Sequence, residues 1–257
     1  MSHRNDADFT LATPGILGSF CPAAPSYVRP GTVAENAEYL AGRVKEVALL
    51  FFETQACLDY TEADLPPGLA DLPLSWHIHL PLDLPWDAGH EAVARAVAGL
   101  AAKAAFLKPR ALVLHPPPTP GLLPLLVQAL GDSGVLPSSL LLENTVREPL
   151  PAYWEEIRRC GCGVCLDLGH LLLAPNPART LALPGLWERA AMLHVSAPAQ
   201  GGHASLAALD APGRSLLRHI LEGLKKDSTV VLELFDLPSL AESARLLAAW
   251  GREWRLW

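Results

Sequence analysis

The feature that most constrains this chain is an alternation: a short apolar run of β type, a polar or Gly/Pro-containing turn, then a stretch with helical periodicity. The runs fall at 16–20 (ILGSF), 47–52 (VALLFF), 75–80 (SWHIHL), 111–115 (ALVLH), 139–143 (SLLLE), 163–168 (GVCLDL), 191–196 (AMLHVS) and 229–235 (TVVLELF). Between the third and fourth, 91–107 places Val93, Val97, Leu100, Ala104 and Leu107 on one helical face. After the eighth, 238–250 does the same with Leu240, Ala244 and Leu247. Thr32 stands where a helix cap is wanted, since its hydroxyl can accept from free first-turn amides. The segment TEADLPPGLADLP after the second run is too proline-rich for a regular helix. Eight runs alternating with helices, most of them apolar throughout as strands buried on both faces are, predict a parallel sheet closed into a (β/α)8 TIM barrel, α/β in class. The 257 residues, 50% hydrophobic, suffice for one such core, so a single domain over 1–257 is expected. An open doubly wound sheet would want a Gly-rich phosphate turn after its first strand, and LGSFCPAAP does not supply GxGxxG.

In a barrel the carboxyl ends of all strands converge on one mouth. The residues at those ends therefore form a spatial set. The third run carries His77 and His79, two apart and on one face. The fourth ends in His115, the fifth in Glu143 and Asn144, the sixth in Asp167 with His170 just beyond, the seventh in His194 and the eighth in Glu233, while His203 lies in the following loop. Of nine histidines only His3, His90 and His219 lie elsewhere. Carboxylates and imidazoles gathered in one cup repel or desolvate one another unless a cation sits among them. A divalent metal meets that need, and imidazole plus carboxylate without thiolate suits zinc, manganese or iron. Asp167 and His170 sit three apart across a turn that Gly169 makes possible, so both can aim at one region without a helix. His77 lies about 6.5 Å further back along its strand than His79, as a supporting or packed residue.

Other classes of function fit less well. The formal charge is −7 and no cluster of Lys and Arg is evident, so a small-molecule partner is expected and long duplex nucleic acid is not. No apolar run approaches the roughly 18 residues of a membrane span and the first residues are polar, which points to a cytoplasmic protein with no membrane role. Five cysteines fit reduced thiols better than a disulfide framework. Cys160, Cys162 and Cys165 in CGCGVC offer a soft-metal alternative, but a structural zinc site would want a fourth ligand, and Cys165 alternates into a strand core. The tail WGREWRLW is expected to cover the last helix or a neighbouring subunit, so an oligomer is possible.

The order of motifs resembles the xylose isomerase-like metal TIM barrels, which include endonuclease-IV-type abasic-site enzymes and ketose epimerases. HLP (79–81) is similar to that superfamily's HAP turn, LHPP (114–117) to its HPG turn, LENT (142–145) to its ENT, CLDLGH (165–170) to its CLDxxH, LHVS (193–196) to its seventh strand and LEL (232–234) to its final LE. The resemblance runs over residues 75–235. In the phosphoester-cleaving branch it implies His79, His115 and Glu143 on a first metal, Glu143 bridging to a second held by Asp167, His194 and Glu233, and His170 with His203 on a third. That branch has Asp two residues before its last histidine; here Gly201 stands there, and water or Asp210 would have to complete the site. In the epimerase branch it implies one ion on Glu143, Asp167, His194 and Glu233, with the two glutamates as acid and base and His170 touching substrate.

Three readings result: a metal-dependent hydrolase cleaving a phosphoester-type bond in a small metabolite, a sugar or sugar-phosphate isomerase or epimerase, and a barrel that binds metal without catalysis. The resemblance extends to the superfamily's cobamide-remodelling hydrolases. Glu143, Glu233 and His170 are the candidate catalytic residues, with zinc or manganese, one to three ions, as cofactor. His77, Asn144, Arg147 and Trp76 are candidates for touching substrate. Arg147, four past Glu143, would anchor an anionic group, and Trp76 with Trp86 would stack on a ring.

Overall fold

A computed structural model of the chain describes residues 9–13, 15–131, 133–200 and 202–257. Eight parallel strands form the barrel: β1 (Cys21–Pro25), β2 (Glu46–Leu50), β3 (Ser75–His79), β4 (Leu112–Leu114), β5 (Leu140–Glu143), β6 (Gly163–Asp167), β7 (Ala190–Val195) and β10 (Thr229–Leu232). They close in the order β1-β10-β7-β6-β5-β4-β3-β2. The two remaining strands, β8 (Ala197–Ala199) and β9 (Gly202–Ala204), form an antiparallel hairpin beyond β7. The barrel is therefore the one the alternation predicts.

Its first strand is not where the sequence pattern puts it. Residues 16–20 lie in a turn-rich segment in which Gly15 and Gly18 pair as an isolated bridge, both with positive φ that a side chain would resist. The strand is the next stretch, CPAAP, which lacks the β-branched signature. Pro22 has no N–H but its carbonyl still accepts from Lys45 N–H at 2.9 Å, enough to seat it in a parallel ladder.

Helices cover the outside. Thr32 caps α1 (Val33–Leu40) in a reciprocal box with Glu35. After β2 comes the short α2 (Thr54–Leu58), and the proline-rich stretch beyond it makes only a 3-10 turn over Pro67–Asp71. The long periodic segments become α3 (His90–Lys103) and α10 (Leu237–Glu253), with α4 (Leu122–Ala129), α5 (Leu150–Cys160) and α9 (Ala211–Gly223) completing the main layer. Between β6 and β7 lie three short helices, α6 (Leu168–Leu173), α7 (Pro177–Leu181) and α8 (Leu186–Arg189). Leu40, Val97, Leu100, Leu126, Ile157, Ile220 and Leu247 pack against the outward residues of the strands in one large core. The tryptophan-rich tail folds back on its own chain. Trp257 meets Phe20 edge-on at 6.2 Å and covers Gly251, where any Cβ would collide with its ring. Among the described residues no helix is long and apolar enough to cross a membrane.

The interior of the barrel has its own packing. Ala23, Ala48, Val113, Leu141, Cys165, Met192 and Val231 fill its middle. Above them, at the carboxyl ends, the inward positions turn polar: His79, Glu143, Asp167, His194 and Glu233. Trp76, beside His77 in β3, belongs to the outer core and is 2% exposed, because neighbouring strand residues point to opposite faces. It does not reach the mouth. All five cysteines are free thiols, and Cys162 and Cys165 are buried as core residues; none joins a potential metal-ligating group among the described residues.

Candidate metal centre at the barrel mouth

The side chains that close the mouth come from six strand ends, and Glu143 stands at their centre. Its Oε2 lies 3.3 Å from His79 Nε2 and 3.4 Å from His115 Nε2, while its Oε1 lies 3.1 Å from His194 Nδ1. Glu233 Oε2 is 3.2 Å from the same His194 nitrogen, and Glu233 Oε1 is 3.9 Å from His79 Nε2. Three sets of donor atoms each fall within 4.8 Å of one another: His79, Glu143 and His194; His115, Glu143 and His170; and Glu143, Asp167, His194 and Glu233. Glu143 belongs to all three.

Asp167 and His170 reach this cup through a helix, not around a glycine turn. Asp167 is the N-cap of α6: its Oδ1 accepts the His170 N–H at 2.5 Å, leaving Oδ2 buried and without a partner. Gly169 is needed for space rather than for backbone freedom, since a Cβ there would come within 3.2 Å of Ser196 Oγ. Asn144 fastens the two strands below the cup. Its side-chain oxygen accepts from Asp167 N–H at 2.8 Å and its amide donates to Asp167 carbonyl at 2.9 Å, so this residue positions Asp167 with both ends of its amide.

The donors in this cup are in surplus. A carbonyl can only accept, so the 3.0 Å contact between His79 Nδ1 and Leu80 O puts a proton on Nδ1 and turns Nε2 toward the Glu143 carboxylate. Glu143 Oε2, Asp167 Oδ2 and His194 Nε2 are buried with no hydrogen-bond partner. Two donors about 2.1 Å from one tetrahedral ion lie roughly 3.4 Å apart, close to the spacings between the histidines and Glu143. The residues present therefore fit a divalent metal.

The proton affinities tell the same story. Burial favours a neutral Glu143, yet the charge of His194, with the imidazoles of His115, His194 and His79 crowded against it, holds its carboxyl well below the usual range. Burial likewise works against Glu233, but His194 brings it down to about 2. Asp167 goes the other way: burial first, then the charges of Glu143 and Glu233, push it well above its ordinary value. Burial disfavours a charged His194, and Cys165, Glu233 and Glu143 together raise it well above the imidazole range.

His203 arrives on the β8–β9 hairpin, which the strand pattern did not foresee. Its Nδ1 is 2.9 Å from Ser196 Oγ and 3.9 Å from Glu233 Oε2, and its ring meets Phe235 edge-on at 5.2 Å. The structure brings His170 to His115 and Glu143 rather than to His203, which joins none of the three donor sets among the described residues. Gly201 lies outside the described residues. Arg147 is exposed on the loop after β5 and does not line the site cavity. That cavity, about 340 Å³, is lined by His79, His115, Glu143, His170, His203 and Glu233 together with Leu50, Phe51, Phe52, Leu80, Leu82 and Phe235.

His77 belongs to a different cluster at the opposite end of the barrel, one that reading strand ends alone missed. Glu46, the first residue of β2 and 1% exposed, accepts from His77 Nδ1 at 2.7 Å, Arg110 Nη1 at 2.9 Å and Ser75 Oγ at 3.0 Å. Burial opposes its charge, but the hydrogen bond and charge of His77, with Arg110 and Ser75, hold its carboxyl below the usual value. Burial keeps His77 below the ordinary imidazole range despite Glu46. A carboxylate just ahead of the apolar run VALLFF was the available signal.

No protein-family model and no curated protein matches this sequence. Solved structures do. A D-tagatose 3-epimerase-like protein superposes with a TM-score of 0.70 at 17% identity, covering 92% of this chain and 98% of that one. Endonuclease IV from Thermus thermophilus gives 0.66 at 22%, covering 91% and 99%. The IolI protein with a bound zinc atom gives 0.63 at 13%, covering 92% and 96%. The chain shares the (β/α)8 barrel fold of these proteins. In this barrel the polar strand ends meet at the carboxyl-terminal mouth, where barrels of this architecture carry their sites.

Proposed function

We propose that this protein is a metal-dependent hydrolase acting on a phosphoester-type bond in a small molecule. One observation carries the reading: the two oxygens of Glu143 face different partners, Oε2 toward His79 and His115 and Oε1 toward His194, as a carboxylate shared between two ions would. Divalent ions held there supply Lewis-acid polarisation of the ester and a lowered water pKa. Hydrolysis forms one P–O bond from water and breaks the P–O bond to the alcohol, whose oxygen takes up a proton. His170, which burial keeps below the usual imidazole range, faces the cavity as a neutral ring able to accept a proton. Glu143 and Glu233, both against His194 Nδ1, orient the reacting centre. The imidazole-rich half, His79 and His115, suits zinc; the carboxylate-rich half, Asp167 and Glu233, also suits manganese.

A second reading is favoured by the four-donor set Glu143, Asp167, His194 and Glu233 and by the likeness to a D-tagatose 3-epimerase-like protein. There one ion suffices, and the two glutamates move a proton on and off a carbon beside a carbonyl. Turnover of bis(p-nitrophenyl) phosphate by metal-loaded protein, set against a panel of ketoses, separates the two. Phosphodiester cleavage that Glu233→Gln abolishes while metal is retained supports hydrolysis and excludes a purely metal-binding barrel. Epimerised ketose without ester cleavage overturns the hydrolase.

A further inference from the structure

The wall of the site cavity is divided by chemistry. One side is the donor cluster; the other is Leu50, Phe51, Phe52, Leu80, Leu82 and Phe235, from the ends of β2, β3 and β10. Among the described residues lining it there is no Lys or Arg. Phe52 and Leu82 stand 56% and 69% exposed, an unusual placement for two large apolar side chains beside a cluster of titratable groups. Phe52 is steadied by Tyr27, met edge-on at 6.0 Å. Phe235 touches His203, so the apolar wall begins directly beside the donors.

Resting on the hydrolase reading, we infer that the substrate carries a single phosphate and, next to it, a flat apolar group such as an aromatic ring, which lies on Phe52, Leu82 and Phe235. A second phosphate directed at this wall would lose its hydration with no cation to replace it. An apolar ring there removes its own surface and that of Phe52 and Leu82 from water, and gains edge contacts with Phe52. A cavity of about 340 Å³ holds far more than one phosphate group, and its remaining volume is bounded by these side chains.

The test is titration calorimetry of the full, metal-loaded chain with methylphosphonate, phenylphosphonate and phosphonoacetate, which share one headgroup and differ in the substituent on phosphorus. Phenylphosphonate is expected to bind about tenfold or more tighter than methylphosphonate, and phosphonoacetate no tighter than methylphosphonate. Combining Phe52→Ala with Leu82→Ala removes most of that preference while metal content is unchanged. Equal affinity for the methyl and phenyl compounds, or tightest binding of phosphonoacetate, overturns the inference alone. So does a dimer that Phe52→Ala dissociates, since the patch would then belong to a second copy. If neither methyl- nor phenylphosphonate binds the loaded protein, the hydrolase reading fails and this inference with it.

Discussion

The two ends of the barrel interior both bury carboxylates beside histidines, and they treat them in opposite ways. At the amino-terminal end both oxygens of Glu46 are hydrogen-bonded, to His77, Arg110 and Ser75. At the mouth, Glu143 Oε2, Asp167 Oδ2 and His194 Nε2 are buried with nothing to bond. At the amino-terminal end the polypeptide satisfies the carboxylate itself and leaves only His77 Nε2 without a partner, as a structural cluster does. Buried carboxylate oxygens left unmet in the same fold mark a place for something the polypeptide does not supply. Counting acids and histidines would not distinguish the two ends; counting unmet carboxylate oxygens does.

The largest effect that would break this contrast is expected at Glu143. Glu143→Ala should remove metal from the whole cup at once and lower turnover by about a thousandfold or more, roughly 4 kcal/mol of transition-state stabilisation. Retained metal with normal turnover would show that the shared carboxylate is incidental. Next in size is the metal itself. Loading to a thousand times its dissociation constant should stabilise the fold by about 4 kcal/mol, seen as a rise in Tm that chelator reverses, whereas Glu143→Ala should show no such rise.

The base of the barrel should behave in the reverse sense. Glu46→Gln is expected to cost roughly 2 to 3 kcal/mol of stability by denaturant unfolding, with metal stoichiometry unaltered. Because the Glu46 carboxyl lies below its ordinary value when folded, its contribution is present above the unfolded value near 4.5 and is lost as pH falls further. The wild type should therefore lose more stability on acidification than Glu46→Gln does. In metal-free protein Asp167→Asn should do the opposite of Glu46→Gln and leave neutral-pH stability unchanged or raised. Asn preserves the cap of α6 and removes a carboxyl that burial already drives to its protonated form. Smallest is His203→Ala, expected to keep metal content and slow turnover by about tenfold, near 1.4 kcal/mol, because His203 borders the donor sets without joining one.

Much of the mouth is legible in the sequence because the chemistry sits at the carboxyl ends of strands, where an apolar run breaks into Glu143, Asp167, His194 or Glu233. The barrel makes such ends converge, so linear position translates into space. The features that escape the sequence depend on local geometry. The first strand, CPAAP, is held by its neighbours on both sides rather than by its own propensity. Trp76 reads as a mouth residue from its place in the chain, although it alternates away from His77. Glu46 stands at the start of a strand, where the same convergence logic applies to the closed end. His203 owes its place to a hairpin with no strong strand signal, and Asp167 with His170 to a helix that begins at the strand's last residue.

The most direct measurement is metal content by elemental analysis of protein purified without chelator and reloaded with zinc or manganese, with Glu143→Ala alongside. Two or more equivalents that disappear together in the variant are predicted. A cup that stays empty when ions are in excess, or a full complement kept by Glu143→Ala, would contradict the assignment of the mouth as a metal centre built on one shared carboxylate.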